Sequence, residues 1–115
     1  MAHTGAARAG VENLTKSLGQ EWARYHIRIN AVAPGIIATS GLENYPSQML
    51  EFLKDSEQKN LMKRFGTAED VSNAVLFLSS PLANYISGVT IPVDGLEHLA
   101  GDRMELYNKI MSFTN

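Results

Sequence analysis

The sequence predicts an α/β fold of two strands and about five helical stretches, the strands parallel and joined through helices. Three features predict it. Residues 26–33, HIRINAVA, set Ile27, Ile29, Ala31 and Ala33 against Arg28, Asn30 and Val32, the two-residue period of a strand. Residues 88–95, GVTIPVDG, place Val89, Ile91 and Val93 opposite Thr90 and Pro92 in the same way. Before and between these segments the apolar spacing lengthens to three and four residues, the helical period. A strand that reaches a second strand through helices is a βαβ-like crossover, for which the parallel, right-handed form is expected.

The first helix is expected over residues 5–24. Ala7, Val11, Leu14, Leu18 and Trp22 form one apolar stripe along it. Gly5, Ala6, Ala7, Ala9 and Gly10 keep its first turns thin, so that a backbone or a ligand can come close. Pro34-Gly35 ends the first strand, because proline cannot continue a ladder and glycine permits a sharp turn. Residues 36–66 are the irregular part. Pro46 suits the start of a short helix whose apolar side is Met49, Leu50, Phe52 and Leu53. A second short helix is expected over residues 57–62. Thr67-Ala-Glu-Asp70 then reads as an N-cap with acids in the first turn, where the helix dipole favours them. Val71, Ala74, Val75 and Leu78 make the inner face of that helix, and Ser79, Ser80 and Pro81 stop it. Pro92 argues that the second strand lies at an edge or at the end of its ladder. Asp102 would cap a last helix with Leu106, Tyr107, Ile110 and Met111 on its apolar face. Two strands are few for an independent parallel sheet, since both faces must be covered and the edges managed.

Composition narrows the function classes. The chain has 115 residues, 44% apolar and 19% charged, with a formal net charge of -2. The basic residues never form a run, so nothing in the charge favours nucleic acid or an anionic membrane as a partner. There is no cysteine, which excludes disulfides and thiolate metal sites. His3, His26 and His98 have no ligand spacing, and no metal site is expected. No G-x-S-x-G elbow suggests a hydrolase. No apolar run approaches the roughly 20 residues needed to span a bilayer. No targeting segment is visible at either end, and a cytoplasmic location is the resulting expectation.

A set of dispersed motifs carries a family resemblance. They are ARAGVENLTKSL (7–18), EWA (21–23), IRINAVAPG (27–35), the Thr-Ala-Glu-Asp helix opening, FLSS (77–80), ISG (86–88) and VDG (93–95). In this order and spacing they resemble the C-terminal half of a short-chain dehydrogenase/reductase. The wording HTGAARAGVENLTKSL and Glu43-Asn44-Tyr45 is most similar to peroxisomal trans-2-enoyl-CoA reductases, then to dienoyl-CoA reductases. The resemblance implies the C-terminal half of a Rossmann-like doubly wound sheet over residues 1–95, followed by a helical extension over 96–115. It implies an oxidoreductase that uses NADP(H) to reduce a fatty enoyl-CoA or a related carbonyl or enoyl substrate, assembled as a homo-oligomer. The family's Gly-rich pyrophosphate turn has no counterpart here: neither G-x-x-x-G-x-G nor G-x-G-x-x-G occurs. The chain starts where the family's catalytic helix starts. It is therefore expected to be a fragment, a truncated product or a deliberately shortened chain, inactive alone.

The family's chemistry rests on Tyr-x-x-x-Lys on that helix, a proton donor and a lysine that lowers its pKa and holds the nicotinamide ribose. The Ala9-Gly10 register puts Arg8 at the lysine and Thr4 at the tyrosine. Arginine keeps the charge and the donors for a ribose but relays no proton at neutral pH. A threonine hydroxyl is too weak an acid to replace a phenol. Arg8 is thus the candidate catalytic and cofactor residue; the other reading is an i,i+4 surface pair with Glu12. Glu12 and Lys16, which a slipped register would select, read as solvated helix charge. The resemblance also assigns Pro34, Gly35, Ile37 and Thr39 to the turn over the nicotinamide, with the Ile37 backbone at the carboxamide. The other reading is a plain strand-to-loop turn with an N-cap. Leu42, Tyr45, Met49, Phe52 and Leu53 fall in the family's substrate loop, where they line an acyl channel or simply pack. A second function class stays open: a non-catalytic piece that serves oligomerisation, since the family uses the first helix and the last strand with its preceding helix for subunit contacts.

Overall fold

The computed structural model describes residues 2–100 and 103–114, without the side chains of residues 42, 43, 100, 103–107 and 114. The elements are α1 (Ala2–Trp22), β1 (Ala31–Pro34), α2 (Ser47–Lys59), α3 (Ala68–Ser79), β2 (Thr90–Val93), α4 (Glu97–Ala100) and α5 (Arg103–Thr114). β1 and β2 pair in parallel, in a sheet of two strands among the described residues. The chain forms two compact units, residues 1–33 with 69–93, and residues 34–68 with 94–115.

In the first unit the strands are shorter than the alternation suggests. Residues 26–30 lie outside the regular ladder: the His26 and Ile27 amides bond back to the Ala23 and Trp22 carbonyls, and at residues 29 and 30 side chains enter the hydrogen bonding. Ser87 Oγ accepts from the Ile29 amide at 3.1 Å. Asn30 donates from Nδ2 to the Ile86 carbonyl at 3.0 Å and accepts from the Val89 amide at 3.3 Å. The Gly88 amide donates to the Ile29 carbonyl and the Ala31 amide to the Val89 carbonyl, at 2.6 and 2.9 Å. Arg28 is half-buried, and its guanidinium donates to the carbonyls of Leu78 at 2.7 Å, Ser80 at 3.2 Å and Ile86 at 3.3 Å. A cation at these carbonyls meets the negative end of α3, where helix carbonyls lack partners of their own. Ser80 continues the stop: its hydroxyl donates to the Phe77 carbonyl at 2.8 Å and accepts from the Leu82 amide at 3.2 Å.

α1 buries a different face from the one its apolar stripe suggests. Thr15 and Gly19 are its buried residues, whereas Val11 and Leu14 are more than half exposed. The Thr15 hydroxyl is satisfied within the helix by the Val11 carbonyl at 2.7 Å. A Cβ on Gly19 would lie 3.3 Å from the Gly88 Cα, so the helix meets the turn before β2 backbone to backbone. At Gly5 and Gly10, in the thin segment, no other part of the described chain comes within 4 Å of a Cβ position. The close approach thus falls at Gly19, where the turn at Gly88 has a φ of +78° that suits glycine. In α3, Leu78 is buried and Val71 and Ala74 half-buried, but Val75 faces out.

The second unit has its own core of Met49, Leu53 and Phe65, with Ile36, Ile110 and Phe113 packed against it. One helix, Ser47–Lys59, replaces the two short ones expected there, with Pro46 at its N-cap. Asn60 ends it in an extended conformation, so residues 60–62 turn rather than continue. α5 packs on α2, where the rings of Phe52 and Phe113 stand 6.2 Å apart at 56°, an edge-tilted pair. Asp102, the expected cap of α5, lies outside the described residues, as do the side chains of Leu106 and Tyr107.

Arg28→Met should lower the unfolding free energy by about 2–3 kcal/mol, because three carbonyls lose a charged donor. Urea denaturation followed by circular dichroism measures this, and Arg28→Lys, which keeps the charge but not the fork, should fall between the two.

Candidate functional site

The segment after β1 is built to leave the N–H and C=O of one residue open. The Gly66 amide donates to the Ile36 carbonyl at 3.0 Å, and the Ala38 amide donates to the Gly66 carbonyl at 2.9 Å, a parallel bridge centred on Ile37. In extended backbone the groups of successive residues point to opposite sides. The N–H and C=O of Ile37 therefore face away from Gly66, and among the described residues neither has a hydrogen-bond partner.

The turn leading into this bridge is fixed from its other end. Glu97 accepts the Ile36 amide on Oε2 at 3.0 Å. A Cβ on Gly35 would run into that same carboxylate oxygen and would lie 2.7 Å from the Asp94 Cβ and 2.9 Å from its Cα. Only a glycine fits between them. Asp94 in turn organises α4: its carboxylate accepts from the Leu96 amide at 3.2 Å, from the His98 amide at 3.1 Å and meets His98 Nδ1 at 2.9 Å. Gly95 and Leu96 both carry positive φ, +58° and +74°. For leucine this is an uncommon conformation of roughly 1–2 kcal/mol cost, held here by the hydrogen bonds to Asp94.

The structure thus gathers Pro34, Gly35 and Ile37 into one constrained segment, with exposed Pro34 closing β1 and exposed Thr39 just beyond the bridge. Arg8 stands exposed on α1, in the other unit, and Thr4 is half-buried four residues before it. No ion pair closes between Arg8 and Glu12 or between Glu12 and Lys16 among the described residues. In the substrate-loop segment, Met49 and Leu53 are core and Phe52 packs on Phe113, so these three serve packing. Tyr45 is 46% exposed, and the Leu42 side chain lies outside the described residues. Glu97 and Asp94 went unread in the sequence as site residues. The available sign was Asp94-x-x-Glu97, the spacing of a helix-capping acid pair behind a Gly turn.

An open groove of about 370 Å³ runs beside β1 in the first unit, lined by His26, Arg28, Asn30, Val75 and Leu78. Its polar side is the Arg28 and Asn30 hydrogen-bond network, so it belongs to the scaffold of that unit.

Residues 1–95 match the family described as Enoyl-(Acyl carrier protein) reductase. The chain belongs to the short-chain dehydrogenase/reductase family. It is 40% identical over 99 residues to the peroxisomal 2,4-dienoyl-CoA reductase [(3E)-enoyl-CoA-producing] of Mus musculus, which covers 81% of this chain and 32% of the mouse protein. It is 38% identical over 95 residues to tropinone reductase-like 3 of Erythroxylum coca, covering 83% and 36% of the two chains. Among solved structures, a short chain dehydrogenase from Bacillus anthracis matches with a TM-score of 0.70 at 37% identity, over 87% of this chain and 36% of that one. An oxidoreductase of the family from Burkholderia thailandensis matches with a TM-score of 0.72 at 36% identity, over 92% and 41%. The chain spans about a third of the length of the curated relatives it matches. Its fold is the C-terminal part of the family's Rossmann-like α/β sheet.

Gly35→Ala should cost about 1–3 kcal/mol, as a methyl inserted into a filled contact does. It should also weaken protection of the Ile36 amide in hydrogen exchange, which separates a displaced turn from a general loss of stability.

Proposed function

We propose that this chain is the nicotinamide-facing and substrate-loop part of an NADP(H)-dependent oxidoreductase. Its substrate in the whole enzyme is a fatty enoyl-CoA or a related carbonyl or enoyl compound. The observation that carries this reading is the N–H and C=O of Ile37, which have no hydrogen-bond partner among the described residues. A primary carboxamide offers one carbonyl acceptor and an NH₂ donor. An unpaired N–H and C=O on extended backbone complement it in the manner of a sheet edge. Thr39, exposed two residues on, adds a hydroxyl that can reach a carboxamide or a pyrophosphate oxygen. Arg8, with five donors and a permanent charge, suits the ribose hydroxyls and is the candidate catalytic side chain on α1. The bound reduced nicotinamide supplies a hydride. Thr4 supplies no acid, so the proton donor of the whole enzyme lies in another segment. The names of the mouse and rat relatives, both 2,4-dienoyl-CoA reductases, support an acyl-CoA substrate and a reductase chemistry.

In this reading residues 1–95 are the C-terminal half of the dehydrogenase domain and residues 96–115 an extension folded onto it. A cytoplasmic location remains part of the proposal. Among the described residues no helix is long and apolar enough to cross a membrane, while several relatives carry the word peroxisomal in their names. The 115 residues are inactive on their own, because no Gly-rich phosphate turn occurs in them to hold the pyrophosphate. Titration with NADPH, read by nicotinamide fluorescence, should show no saturation in the micromolar range; tight saturable binding would defeat the claim of inactivity.

A second reading has its own support. Val11 and Leu14 on α1, and Leu76 and Phe77 on α3, are 41–69% exposed, more apolar surface than a solitary small domain needs to show. Among the described residues β1 also has a free edge. As an oligomerisation piece, the chain should sediment as a dimer or larger species. Val11→Glu with Leu14→Glu should shift it toward monomer with its helical content retained. A wild-type chain that runs as a compact monomer would remove this reading.

A further inference from the structure

The extension beyond residue 95 does more than pack. Its short helix α4 puts a carboxylate on the turn that leads to Ile37, and every part of that arrangement is locally specified. Asp94 accepts two amides of the segment 96–98 and thereby folds it. Gly95 and Leu96, both at positive φ, turn the chain back on itself. Glu97 then reaches the Ile36 amide, and the absence of a side chain at Gly35 leaves room for its Oε2. The Gly66 bridge holds the backbone on both sides of Ile37, but on one edge alone. The Gly35–Ile36 peptide lies outside that bridge, and an anchor on the Ile36 amide keeps the incoming turn from pulling residues 36–38 off Gly66.

We propose that Glu97 is a positioning residue for the cofactor. Its carboxylate pins the Ile36 amide and so keeps residues 36–38 seated on Gly66, the bridge that sets the direction in which the Ile37 N–H and C=O are presented to a nicotinamide carboxamide. This rests on the reading of the turn given above. It adds a residue from the extension to the set that prepares the site. Glu97 touches neither cofactor nor substrate and acts through the backbone of residues 35–37.

Three proteins test it: the chain itself, Glu97→Gln and Glu97→Ala. Glutamine keeps an acceptor oxygen in the same place, and alanine removes it. Far-UV circular dichroism and the resonances of the Phe65 core report whether each variant folds. Amide exchange at Ile36 should be roughly tenfold faster in Glu97→Ala and near wild type in Glu97→Gln, as expected for loss of one charge-assisted hydrogen bond. Millimolar NADPH, too weakly bound to saturate, should shift the Ile37 and Thr39 amides in the wild type and in Glu97→Gln, and shift them much less in Glu97→Ala. Equal Ile36 exchange in a folded Glu97→Ala would overturn the proposal, as would unchanged NADPH shifts in that variant. If NADPH moved neither amide even in the wild type, the cofactor reading of the turn would fail and the positioning role with it. The exchange data would then show separately whether the Glu97 contact exists. Should Glu97→Ala not fold, loss of the NADPH shifts in Glu97→Gln with Ile36 still protected would also count against it, because an acceptor in the right place would then not suffice.

Discussion

The first unit turns on Arg28. Its guanidinium is half-buried and donates to three carbonyls, at the end of α3, just after it, and in the loop before β2. These carbonyls come from segments that would otherwise end in unpaired polar groups. With that single side chain in place, the last turn of α3 has a partner and the approach to β1 is set against residues 78–86. Asn30 completes the arrangement by bridging the Ile86 carbonyl and the Val89 amide. Ahead of the paired strands, the side chains of Arg28, Asn30 and Ser87 tie residues 28–30 to residues 78–89.

The second unit solves a different problem. It must keep the N–H and C=O of one residue unpaired on extended backbone while holding its neighbours still. The Gly66 bridge secures one edge of the segment, and the Glu97 carboxylate secures the turn that enters it. Asp94, a member of the VDG motif, links the two ends of this construction by capping the helix that carries Glu97. The core beneath it is small, with Met49, Leu53 and Phe65 at its centre and α5 closing one side through Phe113.

The sequence made the fold class plain because alternation and helical spacing survive in a segment of any length. HIRINAVA and GVTIPVDG marked the strands, and the stop at Ser79-Ser80-Pro81 was written in residue types that favour caps. The strand lengths were not readable, since Arg28 and Asn30 look like ordinary outward-facing positions until their partners some fifty residues away are known. The buried side of α1 misled for a related reason. An apolar stripe announces a face that wants cover, but nothing in it says whether this chain or another provides the cover. The contact made within the chain uses Thr15 and Gly19, which carry little hydrophobic weight. Of the candidate site, the turn from Pro34 to Thr39 was visible through a family motif. Glu97 lay beyond that motif and was missed.

The meeting of α1 with the Gly88 turn makes Gly19 a fulcrum. The two backbones touch there with no side chain between them, so the helix has no soft layer in which to absorb a small rotation. Arg8 lies three turns toward the N-terminus, about 16 Å along the axis at the helical rise per residue. Over that lever arm a tilt of a few degrees at the pivot becomes a displacement approaching an ångström at the guanidinium. A methyl group at position 19 would therefore be felt chiefly at the far end of the helix, in the aim of a charge that it never touches.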